Sequence, residues 1–463
     1  SVGAGSGLSL GATLFLTLAG AVGAGLGALL FALIERGAET PLRDIHERFP
    51  WLPPLVIPGA LLLVLWLRDR YFRGTDGTGI PQAIAALRLG PGKERDTLLS
   101  LRVAGGKILL TAIGLVSFLS IGREGPSVQL GACCMHAIAR LRAVPAHLAN
   151  RGLVLAGGAA GIAAAFNAPV AGIVFSFEEI GRSFDKRTMP VIVRTVVIAC
   201  VVCAVGLGND YFYGDLDTGR SPLLLEGWRP WIAVLLVGAA GGLLGGGFSR
   251  LLLICMPTVS RWIRRRKVLA ALGIGLAIAA IGLVSDGQSY GSGFGQARAL
   301  LVEGSPAYAE TLDSETRAEW SEIRGEVGPL YPLFRAAATF LVLLTAIPGG
   351  LFDPSFSVGA GLGAAAFPLL SWTGIGLQAV LLLFIASYFS GVVQSPMTSF
   401  VILLEMTGVL LFSLPLAAAA IVAYAASRLV CPTPLYEALA ENFLRRSGTN
   451  EPGSGGPETG KGC

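Results

Sequence analysis

Long apolar runs interrupted by glycine and proline restrict how this chain can fold more than any other feature. Runs long enough to cross a bilayer occupy residues 8–34, 230–256, 268–284 and 374–393. Of the 463 residues, 53% are hydrophobic and only 14% are charged, which is typical of a membrane protein that crosses the bilayer many times. Other apolar runs are short or broken. We therefore expect roughly a dozen or more membrane segments, several of them discontinuous or re-entrant helices.

The charged and metal-ligating side chains indicate no other class of protein. A net charge of +5 gives no reason to expect nucleic acid binding. The seven cysteines and three histidines show no ligand spacing beyond one Cys200-x-x-Cys203, so we expect free thiols and neither metal nor cofactor. No Walker sequence is present, because Ile108 follows Gly106-Lys107. The basic cluster at 261–267 is expected in the cytoplasm.

Two charged segments outside the apolar runs have no assigned role. Residues 35–49 carry charges of both signs and predict an interfacial helix or loop. Residues 303–326 are acidic and helical in composition and predict an excursion into solvent.

A carboxylate stands in the middle of one strongly apolar region, in the stretch Gly122-Arg123-Glu124-Gly125-Pro126. An ionisable group at such depth is costly and marks a functional site. Proline is favoured at the first helical position, so we predict a helix that begins near Pro126. Its free N–H groups would face Gly125 and Glu124, and a helix N-terminus binds anions. Glu124 is therefore predicted to be a tethered anion held where a free anion can bind.

The sequence also repeats itself after 227 residues. The stretch GREGPSVQLGA starts at Gly122, and GGLFDPSFSVGA starts at Gly349, with one extra residue before its proline. Farther along, Pro169 and Pro396 each precede an acid by nine residues, which pairs Glu178 with Glu405. Internal repeats in membrane proteins place the substrate site at the repeat interface on broken helices.

A third stretch shares the G-x-x-x-P pattern of the two repeat-related ones. The three stretches are Gly77-Thr78-Gly79-Ile80-Pro81, Gly122-Arg123-Glu124-Gly125-Pro126 and Gly350-Leu351-Phe352-Asp353-Pro354. Glycine allows close backbone approach and proline starts the helix. Three helix N-termini directed at one place would bind an anion through dipoles and amides, weakly enough to release it.

Together with Pro434-Leu435-Tyr436, these motifs resemble those of the CLC chloride channel and transporter family, over nearly the whole chain from Gly77 to Tyr436. The resemblance implies an all-α polytopic membrane protein with an inverted-repeat CLC-type fold of tilted and discontinuous helices. It also implies a homodimer with one anion pathway per subunit, and a place in the bacterial inner (plasma) membrane. We expect one transport domain over residues 1–446, with repeats near 8–208 and 229–430. The tail 447–463 is expected to be disordered, with no cytoplasmic regulatory domain.

The resemblance assigns roles to individual residues. Thr78 and Tyr436 would give hydroxyls to a central chloride, and Leu351 and Phe352 would give backbone amides. Glu124 would be the external gate, which occupies an anion site when deprotonated and admits chloride when protonated. Glu179 would be the inner glutamate that transfers protons in the exchangers of the family. It has no acidic counterpart in the second repeat. The function implied is chloride/proton antiport.

Two residues depart from the family pattern. Thr78 stands where chloride-selective members usually have Ser and nitrate-preferring members have Pro, so chloride is expected and nitrate or fluoride remains an alternative. Asp353 precedes Pro354 and is read as a helix cap that faces away from the ion, with a second titrating group as the alternative.

Two further functions compete with antiport. A passive chloride channel of the same fold is one, although channels of the family usually lack an acid at the position of Glu179. An enzyme that pairs Glu124 with Asp353 or Glu179 is the other, and no nucleophile or metal constellation supports it.

Overall fold

The computed structural model describes residues 10–141, 151–183, 186–216, 225 and 227–446, and every regular element in these ranges is a helix. The tail 447–463, for which we predict disorder, lies outside them. The first half contains α1 (Leu10–Arg48), α2 (Pro53–Arg70), α3 (Ile80–Arg88), α4 (Lys93–Leu98), α5 (Leu101–Leu115), α6 (Glu124–Ala139), α7 (Leu153–Phe166), α8 (Pro169–Phe175), which continues as a π-helical turn (Ser176–Gly181), and α9 (Met189–Leu207).

The second half contains α10 (Arg229–Arg265), α11 (Lys267–Val284), α12 (Phe294–Gly304), α13 (Pro306–Ala309), α14 (Ser314–Glu326), α15 (Tyr331–Leu344), α16 (Phe352–Leu370), α17 (Leu377–Val393), α18 (Pro396–Thr407), α19 (Ser413–Val430) and α20 (Leu435–Arg446). Short 3-10 turns follow α16 and α18. Seven helical segments among the described residues are long and apolar enough to cross a membrane. There are eight if α14 and α15, which meet at a bend of 84°, count as one span.

The long helices carry large apolar side chains on their outer surface, as lipid contact requires. Leu235 and Ile254 on α10, Leu276 on α11 and Leu429 on α19 are all more than half exposed. Close packing of the helices relies on small residues. A Cβ at Gly131 or Gly157 would lie within 2.2 Å of a backbone carbonyl oxygen of the facing helix.

Helices break at equivalent places in the two repeats because of local sequence. Asn167 and Gln394 end α7 and α17 in the left-handed conformation, with φ of 53° and 60°. The residues that follow each precede a proline and are held out of the helical region, and Pro169 and Pro396 then start the next helices. The discontinuous helices predicted from glycine and proline are therefore confirmed.

The two repeats also meet at their motifs. Gly122 and Gly350 form an isolated antiparallel bridge, in which each N–H donates to the carbonyl oxygen of the other. This pairing follows the register of Pro126 and Pro354. It brings the start of α6 against the start of α16 at the centre of the molecule.

The first helix differs from its prediction. The mixed-sign segment 35–49 is not a separate interfacial element, because α1 continues without interruption to Arg48. Glu35 lies in this helix and is buried. The end of α1 therefore contributes charged groups to the interior.

Candidate functional site

The carboxylate of Glu124 is fully buried and lies against the first turn of α16. Its Oε1 accepts a hydrogen bond from the backbone N–H of Asp353 at 3.4 Å. We predicted a helix that begins near Pro126 and an acid held by that same helix. The helix instead begins at Glu124, and the carboxylate lies at the N-terminus of the equivalent helix in the other repeat. Glu124 thus crosses the repeat interface to reach a helix N-terminus.

The glycines on either side of this contact leave room for the carboxylate. A Cβ at Gly350 would lie 1.9 Å from Glu124 Oε2, and a Cβ at Gly122 would lie 2.2 Å from Oε1. No other side chain fits at either position while Glu124 stays in place. The position of the acid therefore requires glycine at 122, whereas at 350 a Cβ would also lie 2.8 Å from the backbone carbonyl carbon of Gly122.

The third glycine-rich turn packs directly on the first repeat motif. Gly79 has φ of +106°, and a Cβ there would lie 2.7 Å from the Gly125 carbonyl oxygen. A Cβ at Gly125 would in turn meet the Thr78 carbonyl oxygen at 2.6 Å. All three turns that the sequence places near an anion are thus in contact at one centre.

Lys107 holds the turn before Thr78, and sequence reasoning missed it. Its buried Nζ donates to the carbonyl oxygens of Thr75 at 3.0 Å and Gly77 at 2.6 Å. The only available signal was a lysine within an otherwise apolar helix, where a charge needs partners.

Two hydroxyl groups predicted to bind the anion are buried without a protein partner. One is Thr78 Oγ1, in the turn before α3. The other is the Tyr436 hydroxyl, on α20. A buried hydroxyl without a partner is costly and indicates a ligand that supplies one. Both Glu124 and Glu179 act electrostatically on the Tyr436 ring hydroxyl.

The amides predicted for the anion belong to the start of α16. Leu351 precedes this helix and Phe352 is its first residue, so their N–H groups lie at a helix N-terminus. The Phe352 ring packs at 4.5 Å from Phe389 and stacks on Phe166 at 6.1 Å. This aromatic cluster fixes the backbone that presents the amides.

Glu178 and Glu179 have different surroundings although they are adjacent. Glu178 accepts backbone N–H groups from Met397 at 2.9 Å and Thr398 at 2.6 Å, so it closes the first turn of α18. Glu179 is buried, accepts a 2.5 Å hydrogen bond from the Ser395 hydroxyl on Oε2, and has no partner at Oε1. Glu178 is therefore structural, and Glu179 keeps a free oxygen inside the protein.

Asp353 does not cap its helix, and the prediction that it does is wrong. The cap position of α16 is Leu351, and no side chain hydrogen-bonds there. Both carboxylate oxygens of Asp353 are buried and unpartnered, and the carboxyl group interacts with Glu124. The helix begins two residues earlier than the proline suggested, so Asp353 falls inside the first turn.

An ion pair that the sequence did not indicate lies beside Glu124. Arg123 Nε is 2.7 Å from Glu35 Oε2, and both side chains are buried. The guanidinium also lies over the Phe212 ring at 5.7 Å. No sequence signal linked these residues, because they lie in segments far apart in the chain.

A cavity of about 860 Å³ reaches this ion pair from the protein surface. Arg123, Glu35 and Glu39 line it, together with residues of α14. Its lining includes Asp286 and Gly287 at the end of α11, whereas α11 starts at the basic cluster. The cavity therefore opens at the end of this span opposite the basic cluster.

Comparison with known proteins identifies the family. The family model described as voltage gated chloride channel matches residues 59–428, which is most of the chain. This chain belongs to that chloride channel family. Tyr436 and Glu35 lie outside the matched range.

The chain is also similar in sequence to individual members of the chloride channel family. The H+/Cl− exchange transporter ClcA of Vibrio campbellii is 26% identical over 93% of this chain and 88% of that protein. A putative chloride channel protein, ClcB-like, of Ralstonia nicotianae is 27% identical over 88% of this chain and 90% of that protein.

Solved structures of family members match nearly the whole chain. A slow cyanobacterial Cl−/H+ antiporter has a TM-score of 0.74 and 22% identity, and the match covers 94% of this chain and 99% of that one. A CLC-type fluoride/proton antiporter has a TM-score of 0.71 and 22% identity, covering 93% and 98%. The predicted CLC-type fold is confirmed.

Proposed function

We propose that this chain is a secondary active transporter that exchanges chloride for protons, with Glu124 as its outer gate. The position of the Glu124 carboxylate at the N-terminus of α16 carries the proposal. A carboxylate and a chloride ion cannot share one site, so protonation of Glu124 and entry of the anion become coupled. The H+/Cl− exchange named for the similar ClcA transporter supports the assignment.

The central anion is held by hydroxyls and amides alone. Thr78 and Tyr436 supply the hydroxyls, and Leu351 and Phe352 supply the N–H groups of a helix start. Support comes from the unpartnered state of both hydroxyls in the interior. Such a set neutralises chloride only in part, which suits rapid release.

Glu179 passes protons between this centre and the cytoplasm. It is buried, has one free oxygen, and interacts with Tyr436. A passive channel needs no such acid. Chloride is the expected anion because Thr78 retains a hydroxyl. The protein acts as a homodimer with one pathway per subunit, in a bacterial inner membrane.

Flux measurements in liposomes test the proposal. A chloride gradient should drive protons uphill through the wild-type protein, whereas no proton movement with intact chloride flux would indicate a channel.

Glu124→Gln should pass chloride without proton coupling. Glu179→Gln should likewise stop proton movement while chloride still passes. Glu178→Gln is the matched control and should keep coupling, because its carboxylate serves only as a helix cap. A Glu124→Gln variant that still couples protons would refute the gate, and nitrate and fluoride gradients would reveal another preferred anion.

A further inference from the structure

Three acids and one base share the buried region at the start of α16. Glu35, Glu124 and Asp353 are the acids, and Arg123 is the base. Arg123 is already paired with Glu35 at 2.7 Å. The remaining two carboxyl groups, Glu124 and Asp353, therefore have no counter-charge of their own.

Glu124 and Asp353 share one buried site at the start of α16. The Asp353 backbone N–H donates to Glu124 Oε1 at 3.4 Å, and of the charged groups near Asp353, Glu124 acts on it most strongly. Two carboxylates that share a buried site retain one proton between them, because burial and repulsion both oppose a second negative charge.

The other groups that face Asp353 do not remove this constraint. Glu35 on α1 adds negative charge, and Arg123, which precedes α6, opposes it more weakly than the two acids act. The Tyr213 hydroxyl is buried without a partner and also interacts with Asp353. Asp353 Oδ1 and Oδ2 and Glu124 Oε2 are likewise unpartnered. A hydrogen on one of these carboxyl oxygens lets one carboxyl group donate to the other, which two carboxylates cannot do.

We propose that Asp353 is a second proton-binding residue of the outer gate and holds a proton while the Glu124 carboxylate occupies the start of α16. The proposal deepens the transport function proposed above and rests on it. When the gate opens, the proton leaves the Asp353 O–H and bonds to a Glu124 carboxylate oxygen. Glu124 becomes neutral and Asp353 becomes a carboxylate. A proton from the cavity lined by Arg123 then restores Asp353.

Chloride binding consequently requires a neutral Asp353 as well as a neutral Glu124. An ionised Asp353 in the first turn of α16 repels an anion at the same amides. The effect of Asp353 on chloride binding can be measured in a variant whose residue 124 does not titrate. In Glu124→Gln, Asp353 is the acid left beside the anion.

Calorimetric chloride titration of full-length protein across pH tests this dependence. For Glu124→Gln we expect the chloride Kd to rise with pH by up to about tenfold per pH unit once Asp353 ionises, because one proton is linked to each anion. The double variant Glu124→Gln/Asp353→Asn should bind chloride with a Kd independent of pH. The carboxylic-acid C=O infrared band that Glu124→Gln loses at high pH should be missing from the double variant, which assigns the band to Asp353 among the buried acids.

The outcomes separate this proposal from the one it rests on. A pH-independent chloride Kd in uncoupled Glu124→Gln would overturn the role of Asp353 and leave the transport function intact. Equal pH dependence in the single and double variants would overturn it as well. Proton coupling that survives in Glu124→Gln would instead refute the gate itself.

Discussion

Glu178 and Glu405 occupy equivalent positions in the two repeats, and each closes the first turn of a helix in the other repeat. Glu405 accepts from the N–H groups of Val170 at 3.0 Å and Ala171 at 2.6 Å. Glu178 accepts from the corresponding pair at the start of α18, at 2.9 and 2.6 Å. The exchange is reciprocal, as a two-fold relationship between antiparallel segments requires. The two acids therefore stabilise the contact between the repeats.

Loss of either carboxylate should destabilise the protein to a similar extent. Glu178→Gln and Glu405→Gln each weaken two charge-assisted hydrogen bonds to a helix start, so we expect a loss of about 1–3 kcal/mol in the free energy of unfolding. Thermal unfolding in detergent measures it. Glu441→Gln is the control, because its pair with Arg445 is exposed and 3.8 Å apart. A large loss at only one of the two positions would contradict the reciprocal arrangement.

Gly122→Ala should open the gate without removing the acid. The atoms nearest to the added Cβ would be those of the Glu124 carboxyl group, with Oε1 at 2.2 Å, so the flexible side chain must leave its place. We expect chloride flux to continue with weaker proton coupling, in the direction of Glu124→Gln. Gly105→Ala on α5 is the matched control, because nothing lies within 4 Å of its new Cβ. Normal proton coupling in Gly122→Ala would contradict this prediction, because the gate would then work with its carboxylate displaced.

Thr78→Val tests the hydroxyl assigned to the anion. Valine keeps the shape of threonine and removes Oγ1, which is buried without a protein partner. We expect chloride affinity to fall by about 1 kcal/mol, roughly fivefold in Kd, as calorimetry would show. Thr78→Ser retains the hydroxyl and should bind chloride nearly as well as the wild type. Equal chloride Kd values for all three proteins would show that the Thr78 hydroxyl does not bind the anion.

The sequence predicted the parts of the site that depend on local rules. Glycine and proline mark where helices begin, so the three turns and the repeat register could be read directly. The contrast between Glu178 and Glu179 also followed from the repeat, because only the first has a counterpart in Glu405. The helix-cap reading of Asp353 failed because α16 starts at Phe352, and a shift of two residues decides whether a side chain caps a helix or enters its first turn.

The parts that depend on distant segments could not be predicted. Glu35 reaches Arg123 across the fold, and no periodicity in α1 reveals that partner. Glu124 was expected at its own helix and lies at α16, because only the assembled repeats bring Gly350 against Gly122. In the sequence, Lys107 was noted only because Gly106-Lys107 does not complete a Walker nucleotide-binding motif. In the structure, its side chain holds the turn before Thr78.

The last prediction concerns Glu437, which follows Tyr436 on α20. This helix is not among the spans, and Glu437 pairs with Arg88 at 3.0 Å and with Arg182. Burial would raise the pKa of Glu437, but the hydrogen bonds and charges of the two arginines outweigh it and lower the pKa below its ordinary value. A lowered pKa means that the pairs stabilise α20 at neutral pH and lose this effect as pH falls through the lowered pKa.

Glu437→Gln should therefore lower stability at neutral pH and converge with the wild type in acid. We expect a loss of at most about 1 kcal/mol, because the pairs are partly exposed, together with weaker chloride binding through a less rigid Tyr436. Thermal unfolding measured from neutral pH to below 4 checks the first effect, and calorimetry at neutral pH checks the second. A stability difference that persists unchanged in acid would show that the glutamate acts through packing and not through its charge.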